Sequence, residues 1–169
     1  MSFSTCDFCD AHKADDSGAF RVLPGGALAA FGGAARFAGP VATVRCADDN
    51  SRVKEAVESP GAGRVLVVDG GGSRRRALLG GNLAAAAASN GWAGIVIDGC
   101  VRDVAELAAT GIGILALAAV PLPTDRRGQG LAGVAVRVCG VDVRPGDWLY
   151  ADADGVVVSA GPLAAAATA

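Results

Sequence analysis

GIVIDGCVRDVAEL, residues 94–107, is the stretch of sequence that decides the fold of this chain. Its β-branched run Ile95–Ile97 predicts a short buried strand, and Asp98-Gly99 predicts a turn. Apolar residues then recur at helical spacing, which predicts a helix that begins near Arg102. Because α/β folds bind ligands in the loops that follow their strands, this stretch is also the first candidate for a functional site.

Three charged side chains at this helix start admit two interpretations. Arg102 would lie at the positive end of the helix dipole, where a cation is disfavoured. Asp103 and Glu106 are three residues apart, so their carboxylates share a face and repel each other. Either Arg102 meets an anion and the two carboxylates meet a cation, or the helix start is solvated and Arg102 pairs with Glu106.

Composition predicts one compact domain, residues 1–169, with a core of small aliphatic side chains. The chain is 51% hydrophobic but only 5% aromatic, and its net charge is −2. That charge gives no overall basic field for nucleic acid. Apolar runs are too short for a membrane span, and the N-terminus lacks the basic start and apolar region of a secretory signal. We therefore expect a cytoplasmic protein that binds neither membrane nor nucleic acid directly.

The odd number of cysteines predicts free thiols in such a compartment. Cys6 and Cys9 have metal-ligand spacing, but no second pair accompanies them and His12 is the only histidine. A structural zinc site needs four ligands. We interpret this pair as incidental.

The remaining elements follow from apolar runs and from capping or breaking residues. Predicted helices cover about residues 5–13, 50–59, 74–79 (capped by Ser73), 83–89 (capped by Asn82) and the stretch from Arg102. Predicted strands cover residues 65–68, 95–97, 112–116, 134–138, 141–143, 148–151 and 156–158, with a bent strand or strand pair over 36–46. The alanine-rich tail, 163–169, is compatible with a helix or a frayed end.

The order of these elements predicts the fold class. Strands and helices alternate in the middle of the chain, which predicts a central βαβαβ sheet with right-handed crossovers and flanking helices. Closely spaced strands after Pro121 predict a β-rich, antiparallel layer packed against that sheet. The expected architecture is a single α/β domain.

A second candidate element is Gly80-Gly81-Asn82-Leu83. Two glycines expose the backbone there, and the helix that follows directs free N–H groups towards a carboxylate or phosphate. The alternative is a simple helix break with an Asn cap. Gly70–Gly72 does not fit a dinucleotide-binding pattern. Arg74–Arg76 could contact a phosphate or form a solvated face with acidic partners.

Topology would bring the two better candidates together at the starts of successive helices. Backbone amides of residues 80–83 and Arg102 would hold a small carboxylate. Asp103, with Glu106 behind it, would hold a divalent cation through oxygen ligands. A 2-oxo acid bound beside that cation is set up for enolate chemistry, because positive charge stabilises the developing C2 oxyanion.

The sequence resembles one family from about Thr5 to Ser159. This family includes regulator of ribonuclease activity A and the metal-dependent 4-hydroxy-4-methyl-2-oxoglutarate (4-carboxy-4-hydroxy-2-oxoadipate) aldolases. Five stretches carry the resemblance: FGGAARFAGPVATVRC (31–46), GRVLVVDGGGSRRRALLGGNLA (63–84), NGWAGIVIDGCVRDVAEL (90–107), GIGILALAAVP (111–121) and PGDWLYADADGVVV (145–158). The family signature, Gly, twenty residues, Arg-Asp, two residues and Asp/Glu, matches Gly81, Arg102, Asp103 and Glu106.

The resemblance implies a three-layer ββα, swivelling-domain-like fold and a ring-shaped homotrimer with active sites at subunit interfaces. It implies that residues 80–83 and Arg102 hold pyruvate, and that Asp103 anchors Mg²⁺ or Mn²⁺ mostly through water. The aldolase members cleave 4-hydroxy-2-oxo acids to pyruvate and a second oxo acid, and they decarboxylate oxaloacetate.

Two features of the resemblance complicate the aldolase interpretation. The regulator members bind and inhibit an RNA-degrading endonuclease such as ribonuclease E. Many members also carry Asp where this chain has Gly81, which implies a slower aldol cleavage if that Asp handles a proton. Decarboxylation removes no proton from a substrate alcohol and is expected to survive better.

Overall fold

The computed structural model describes residues 2–164, in four helices and twelve strands. The helices are α1 (Thr5–His12), α2 (Ser51–Glu58), α3 (Gly81–Ser89) and α4 (Val104–Ala108). The strands are β1 (Phe20–Val22), β2 (Ala29–Ala30), β3 (Phe37–Arg45), β4 (Val65–Asp69), β5 (Ala77–Leu79), β6 (Gly94–Val101), β7 (Gly113–Ala119), β8 (Leu131–Ala132), β9 (Val136–Val138), β10 (Val141–Val143), β11 (Trp148–Ala151) and β12 (Val156–Ser159).

The parallel pairing predicted for the middle of the chain is confirmed. Strands β3, β4, β6 and β7 lie side by side and run parallel. Helices α2, α3 and α4 make the three connections, so β3 and α2 add one unit to the predicted βαβαβ arrangement. The strands after residue 134 pair antiparallel, as predicted.

Strand β3 joins the two parts of the sheet. Its first half, Phe37–Pro40, pairs antiparallel with β11, and its second half, Val41–Arg45, pairs parallel with β4. The predicted bent strand or strand pair is therefore one continuous strand with two kinds of partner. Gly39 is required at the changeover, because a Cβ there would collide with the carbonyl oxygen of Gly63.

Three layers enclose the core. One face of the parallel sheet packs against helices through side chains such as Val53, Val57 and Leu107, all 0% exposed. The other face packs against the β-rich layer. Fully burying each such side chain contributes about 1.5–3 kcal/mol. The predicted α/β class and its β-rich layer are thus confirmed.

The prediction of a turn at Asp98-Gly99 is wrong. Strand β6 continues to Val101, with only a register irregularity after Ile97. Tertiary partners explain the difference, because β5 pairs with the end of β6 and the Asp98 carboxylate accepts a hydrogen bond from the Cys139 amide. The helix consequently begins at Val104, two residues later than predicted.

The prediction of a helix over residues 74–79 is also wrong. Residues 77–79 form β5, and the Ser73 hydroxyl donates to Asp48 instead of capping a helix. The Ala77 amide donates to Leu122, 45 positions further along the chain, so a non-local partner overrides the local pattern. Helix α3 begins at Gly81 with Gly80 as its N-cap, so the predicted Asn82 cap is wrong as well.

The remaining boundaries differ by small amounts. Helix α1 ends at His12, one residue before the predicted end, and α2 lies within the predicted range. Residues 165–169 of the predicted tail lie outside the described residues. No helix within 2–164 combines the length and apolarity needed to cross a bilayer.

Candidate active site

The ends of β5 and β6 bring the two candidate elements together. The Arg102 amide donates to the Leu79 carbonyl at 2.9 Å, which ties the end of β6 to the residue before Gly80. Asp103 Oδ2 accepts a hydrogen bond from the Gly81 amide at 3.0 Å. The predicted convergence of the glycine pair with Arg102-Asp103 is therefore present in the structure, although Arg102 precedes the helix instead of lying in its first turn.

The glycine pair shapes the start of α3. The first helical hydrogen bond runs from the Ala84 amide to the Gly80 carbonyl, so the amides of residues 81–83 precede the helical ladder. Asp103 takes the amide of Gly81, which leaves the amides of Asn82 and Leu83 for a ligand. A Cβ on Gly80 would lie 2.6 Å from Asp103 Oδ2, so the close approach requires glycine.

Asp103 is held in an uncommon backbone conformation. Its φ of 59° and ψ of 47° lie in the left-handed region, which Asp tolerates better than most residues. This conformation turns the chain from β6 into α4. Its carboxylate is 38% exposed and lies 3.7 Å from Arg102 Nε, so it remains open to a ligand as well as to its two protein partners.

Glu106 occupies the space above Gly81. A Cβ placed on Gly81 would coincide with the Glu106 carboxylate. The second carboxylate of the signature thus lies where a side chain at position 81 would begin. The alternative pairing of Arg102 with Glu106 is wrong for the described residues, where Arg102 pairs with Asp103.

Two carboxylates of this site have the chemistry to bind a divalent cation. Residues 2–164 contain no cluster of three or more His, Cys, Asp or Glu side chains arranged around one point. Mg²⁺ is commonly bound by one or two carboxylates, with water and substrate completing its shell. Asp103 and Glu106 fit that pattern, whereas zinc would require more ligands from the protein.

A cavity of about 490 Å³ opens beside Arg102 and Asp103. Its near wall includes Gly80, Asn82, Leu83, Arg102 and Asp103, and its far wall includes Asn50, Thr124 and Arg126. The far wall was not predicted from the sequence, because residues 123–130 have the composition of an ordinary polar loop. Cationic residues in that loop were a signal, but only the tertiary structure brings them to the cavity.

The backbone amides of Gly70–Gly72, the other phosphate-binding candidate considered, donate hydrogen bonds within the protein. Amides of Gly70 and Gly72 both donate to the Asp98 carbonyl at 3.1 Å, and the Gly71 amide donates to the Asp69 side chain. These glycines therefore form a turn whose amides have acceptors within the protein and are not free to bind a phosphate.

The basic run has acidic partners. Arg75 pairs with Asp48, and Arg76 lies 3.6 Å from Asp125. This matches the alternative in which Arg74–Arg76 forms a solvated face.

The thiols are poor nucleophiles. All five cysteines are free. Burial raises the pKa of Cys46 to about 12 and that of Cys139 to about 11. Because the thiolate is the reactive form, neither is activated at neutral pH. His12 belongs to α1, where its ring stacks on Phe20.

Together, the fold and the site define a single-domain α/β protein with two carboxylates and an arginine at the N-terminus of helix α3. A family model described as "RraA-like: Aldolase/RraA" matches residues 5–158, and the chain belongs to this family.

Relatives within the family carry different names. A protein of Albidiferax ferrireducens named "Putative 4-hydroxy-4-methyl-2-oxoglutarate aldolase" is 66% identical, over 96% of this chain and 98% of the relative. The RNA-processing inhibitor RraA of Thermus thermophilis has a TM-score of 0.91 and 45% identity, over 99% of each chain. A Geobacillus kaustophilus structure titled S-adenosylmethionine: 2-dimethylmenaquinone methyltransferase has a TM-score of 0.88 and 43% identity, over 95% of this chain and 97% of that one. Since one fold carries three names, the site must decide the chemistry.

Proposed function

We propose that this protein is a divalent-metal-dependent lyase that forms pyruvate through its enolate. Its substrates are 2-oxo acids of the 4-hydroxy-4-methyl-2-oxoglutarate type, and it also decarboxylates oxaloacetate. One observation carries the proposal: Arg102, Asp103 and Glu106 surround the N-terminus of α3, with Asp103 Oδ2 3.0 Å from the Gly81 amide. The aldolase name of the relative from A. ferrireducens supports it.

Substrate binding uses the groups that the protein leaves free. The C1 carboxylate accepts hydrogen bonds from the amides of Asn82 and Leu83, at the positive end of α3. Arg102 donates to the C2 oxygen and stabilises the negative charge that develops on it. Because Asp103 lies 3.7 Å from Arg102 Nε, it also orients the guanidinium.

A magnesium or manganese ion is the cofactor that these residues suit. Asp103 would hold it, with Glu106 beside it and water completing the shell. When bound, the metal supplies Lewis acidity that polarises the 2-oxo group. The protein's own contribution is to fix the Asp103 carboxylate through the Gly81 amide.

The Glu106 carboxylate carries the proton during aldol cleavage. Its carboxylate accepts the proton of the C4 hydroxyl as the C3–C4 bond breaks, which leaves a C4 carbonyl and the pyruvate enolate. The same proton then returns to C3 and gives pyruvate. Since the carboxylate lies above Gly81, it takes the place of an acid at position 81, and the absence of Asp there need not slow the reaction.

Pyruvate release from oxaloacetate tests the proposal. Purified protein is assayed with Mg²⁺ and then with excess EDTA, each corrected for the metal-only background. We expect clear turnover with Mg²⁺ and background release with EDTA. Turnover that EDTA leaves unchanged would contradict the metal-dependent mechanism, and no turnover in either condition would contradict the lyase assignment.

A second candidate function is regulation of an RNA-degrading endonuclease such as ribonuclease E. The 45% identity to the Thermus thermophilis RNA-processing inhibitor favours it. This function predicts a complex with the endonuclease that survives Arg102→Ala, and its absence in a pull-down with purified endonuclease would contradict it. A homotrimer and a cytoplasmic location remain predictions that gel filtration and fractionation test.

A further inference from the structure

The cavity beside Arg102 has a second cationic wall on the loop of residues 123–130. Arg126 lines the same cavity as the start of α3. Asn50 connects the two, because it contacts both Arg126 and the strand that precedes α3. The proposed pyruvate chemistry uses only the near wall. The groups of the far wall therefore need a separate explanation.

The loop is held rigidly against the start of α2. The buried Asp49 carboxylate accepts hydrogen bonds from the amides of Arg127 at 2.7 Å and Gln129 at 3.2 Å. The Ser51 hydroxyl accepts another from the Gly128 amide. A wall fixed by three such bonds is organised before a ligand arrives, which lowers the entropy lost on binding.

Asn50 positions the Arg126 side chain. Its Oδ1 accepts a hydrogen bond from Arg126 Nε at 3.1 Å, and its Nδ2 donates to the Leu78 carbonyl, two residues before Gly80. Asn50 is only 8% exposed, so it links the two walls through the interior. Within residues 2–164, the two terminal nitrogens of Arg126 donate no hydrogen bond, which leaves them available to an anion.

The acid next to Arg126 also lines the cavity, but it pairs with other arginines. Asp125 Oδ2 lies 3.6 Å from Arg76 and 3.7 Å from Arg127. Across the part of the chain that the structure describes, no carboxylate lies within 4.0 Å of the Arg126 guanidinium. Among the described residues, Arg126 is therefore a cation of the far wall that forms no ion pair.

Thr124 adds a polar group that lacks a partner. Its Oγ1 is buried and, within residues 2–164, makes no hydrogen bond. A buried hydroxyl without a partner costs about 1–3 kcal/mol, so such groups are usually satisfied by a ligand or water. A carboxylate oxygen that reached Arg126 would provide an acceptor on this side of the cavity.

We infer that Arg126 and Thr124 form a second anion subsite that binds the distal carboxylate of the substrate. The inference deepens the proposed function and rests on it for the orientation of the substrate. In substrates of the proposed type, this distal carboxylate remains on the half that leaves the enolate. The new element is therefore the pair of residues that selects such substrates over analogues without the distal carboxylate.

Binding of two unreactive ligands tests the subsite without turnover. 2-Oxoglutarate has a carboxylate at the end where 2-oxopentanoate has a methyl group. Calorimetry in Mg²⁺ should show that Arg126→Met lowers the affinity for 2-oxoglutarate about 10- to 100-fold, as loss of a charged hydrogen bond predicts. The affinity for 2-oxopentanoate should change less than about twofold. Thr124→Val should lower only the affinity for 2-oxoglutarate, and by a smaller factor.

Arg127→Met is the matched control, because it removes the neighbouring cation, which pairs with Asp125. The control should leave both affinities unchanged. Equal losses for the two ligands in Arg126→Met, or the same loss in Arg127→Met, would overturn the subsite. So would wild-type protein that binds the two ligands equally.

Turnover separates failure of the subsite from failure of the proposed function. Arg126→Met should lower kcat/KM for 4-hydroxy-2-oxoglutarate and spare 4-hydroxy-2-oxopentanoate, which has a methyl group in place of the distal carboxylate. Selective binding without turnover of either substrate would retain the subsite and overturn the lyase. Turnover of both with no selectivity would retain the lyase and overturn the subsite.

Discussion

Asp103 Oδ2 accepts a hydrogen bond from the Gly81 amide at 3.0 Å, and this contact joins two elements that are 22 positions apart in the chain. It fixes a carboxylate at the positive end of α3, where the helix dipole favours an anion. The same contact uses one of the three free amides and leaves two for a substrate carboxylate. The spacing of Gly81 and Asp103 in the family signature thus has a direct physical meaning.

Removal of the Asp103 carboxylate should abolish metal-dependent turnover. Asp103→Ala removes the proposed metal ligand, so we expect Mg²⁺-dependent pyruvate release to fall about 100-fold or more. Asp142→Ala is the matched control, because Asp142 is an exposed carboxylate paired with Arg137 on the β9–β10 hairpin. Full activity in Asp103→Ala, with its fold verified by circular dichroism, would exclude the assigned role.

A side chain at position 81 should act by displacing Glu106. A Cβ on Gly81 coincides with the Glu106 carboxylate, so Gly81→Ala should lower aldol cleavage about as much as Glu106→Ala, on the order of 100-fold. Both variants should retain more oxaloacetate decarboxylation than aldol cleavage, because decarboxylation removes no proton from an alcohol.

A double-mutant cycle makes this prediction specific. In the Glu106→Ala background, Gly81→Ala should have little further effect, since the group it displaces is absent. Gly111→Ala is the control, because a Cβ there meets no atom within 4 Å. Additive losses in the cycle would show that Gly81 and Glu106 act independently.

Asp49 should make stability depend on acid pH. Burial alone would raise the pKa of Asp49, but hydrogen bonds from Ser51, Arg127 and Gln129 lower it to about 2. The unfolded chain has a pKa of about 3.9 for this group. The carboxylate therefore stabilises the fold above about pH 4, and this contribution disappears as the pH falls through 2.

Denaturant unfolding of Asp49→Asn tests this dependence. The variant should be less stable than wild type at pH 7 by about 2 kcal/mol, as expected for bonds to a charged group, and the difference should shrink between pH 4 and pH 2. Asp16→Asn, at an exposed position outside the helices and strands, controls for the lost charge. A difference that is constant from pH 7 to pH 2 would show that the Asp49 charge does not stabilise the fold.

Alkylation should leave the activity intact. Burial raises the pKa of Cys100 as well as that of Cys46, and a nearby Asp154 raises the pKa of the exposed Cys6. Iodoacetamide at pH 7 should therefore react slowly and without loss of pyruvate release, measured alongside mass spectrometry of the labelled protein. Inactivation in step with labelling of one cysteine would implicate a catalytic thiol.

Sequence patterns predicted those parts of the fold that depend on local signals. Val65–Val68 and Ile95–Ile97 were recognisable strands because β-branched runs are bounded by turn residues. Residues 77–79 were not, because their strand partners lie in β6 and at Leu122. Pairing that is distant in sequence leaves no local pattern.

The candidate site also has features that the sequence predicted and features that only the folded chain reveals. The convergence of Gly81 with Arg102 and Asp103 followed from the order of the elements. The place of the Glu106 carboxylate above Gly81 depends on the left-handed conformation of Asp103, which no periodicity encodes. Arg126 reaches the cavity through Asn50, 76 positions earlier, so only the folded chain reveals it.

Hydrogen–deuterium exchange at the methyl group of pyruvate tests the enolate mechanism most directly. Proton NMR in D₂O follows loss of the methyl signal for wild type and Arg102→Ala, with Mg²⁺ and with EDTA. We predict exchange that requires both Mg²⁺ and Arg102. Wild-type protein that binds pyruvate and Mg²⁺ without exchange above the metal-only rate would contradict it.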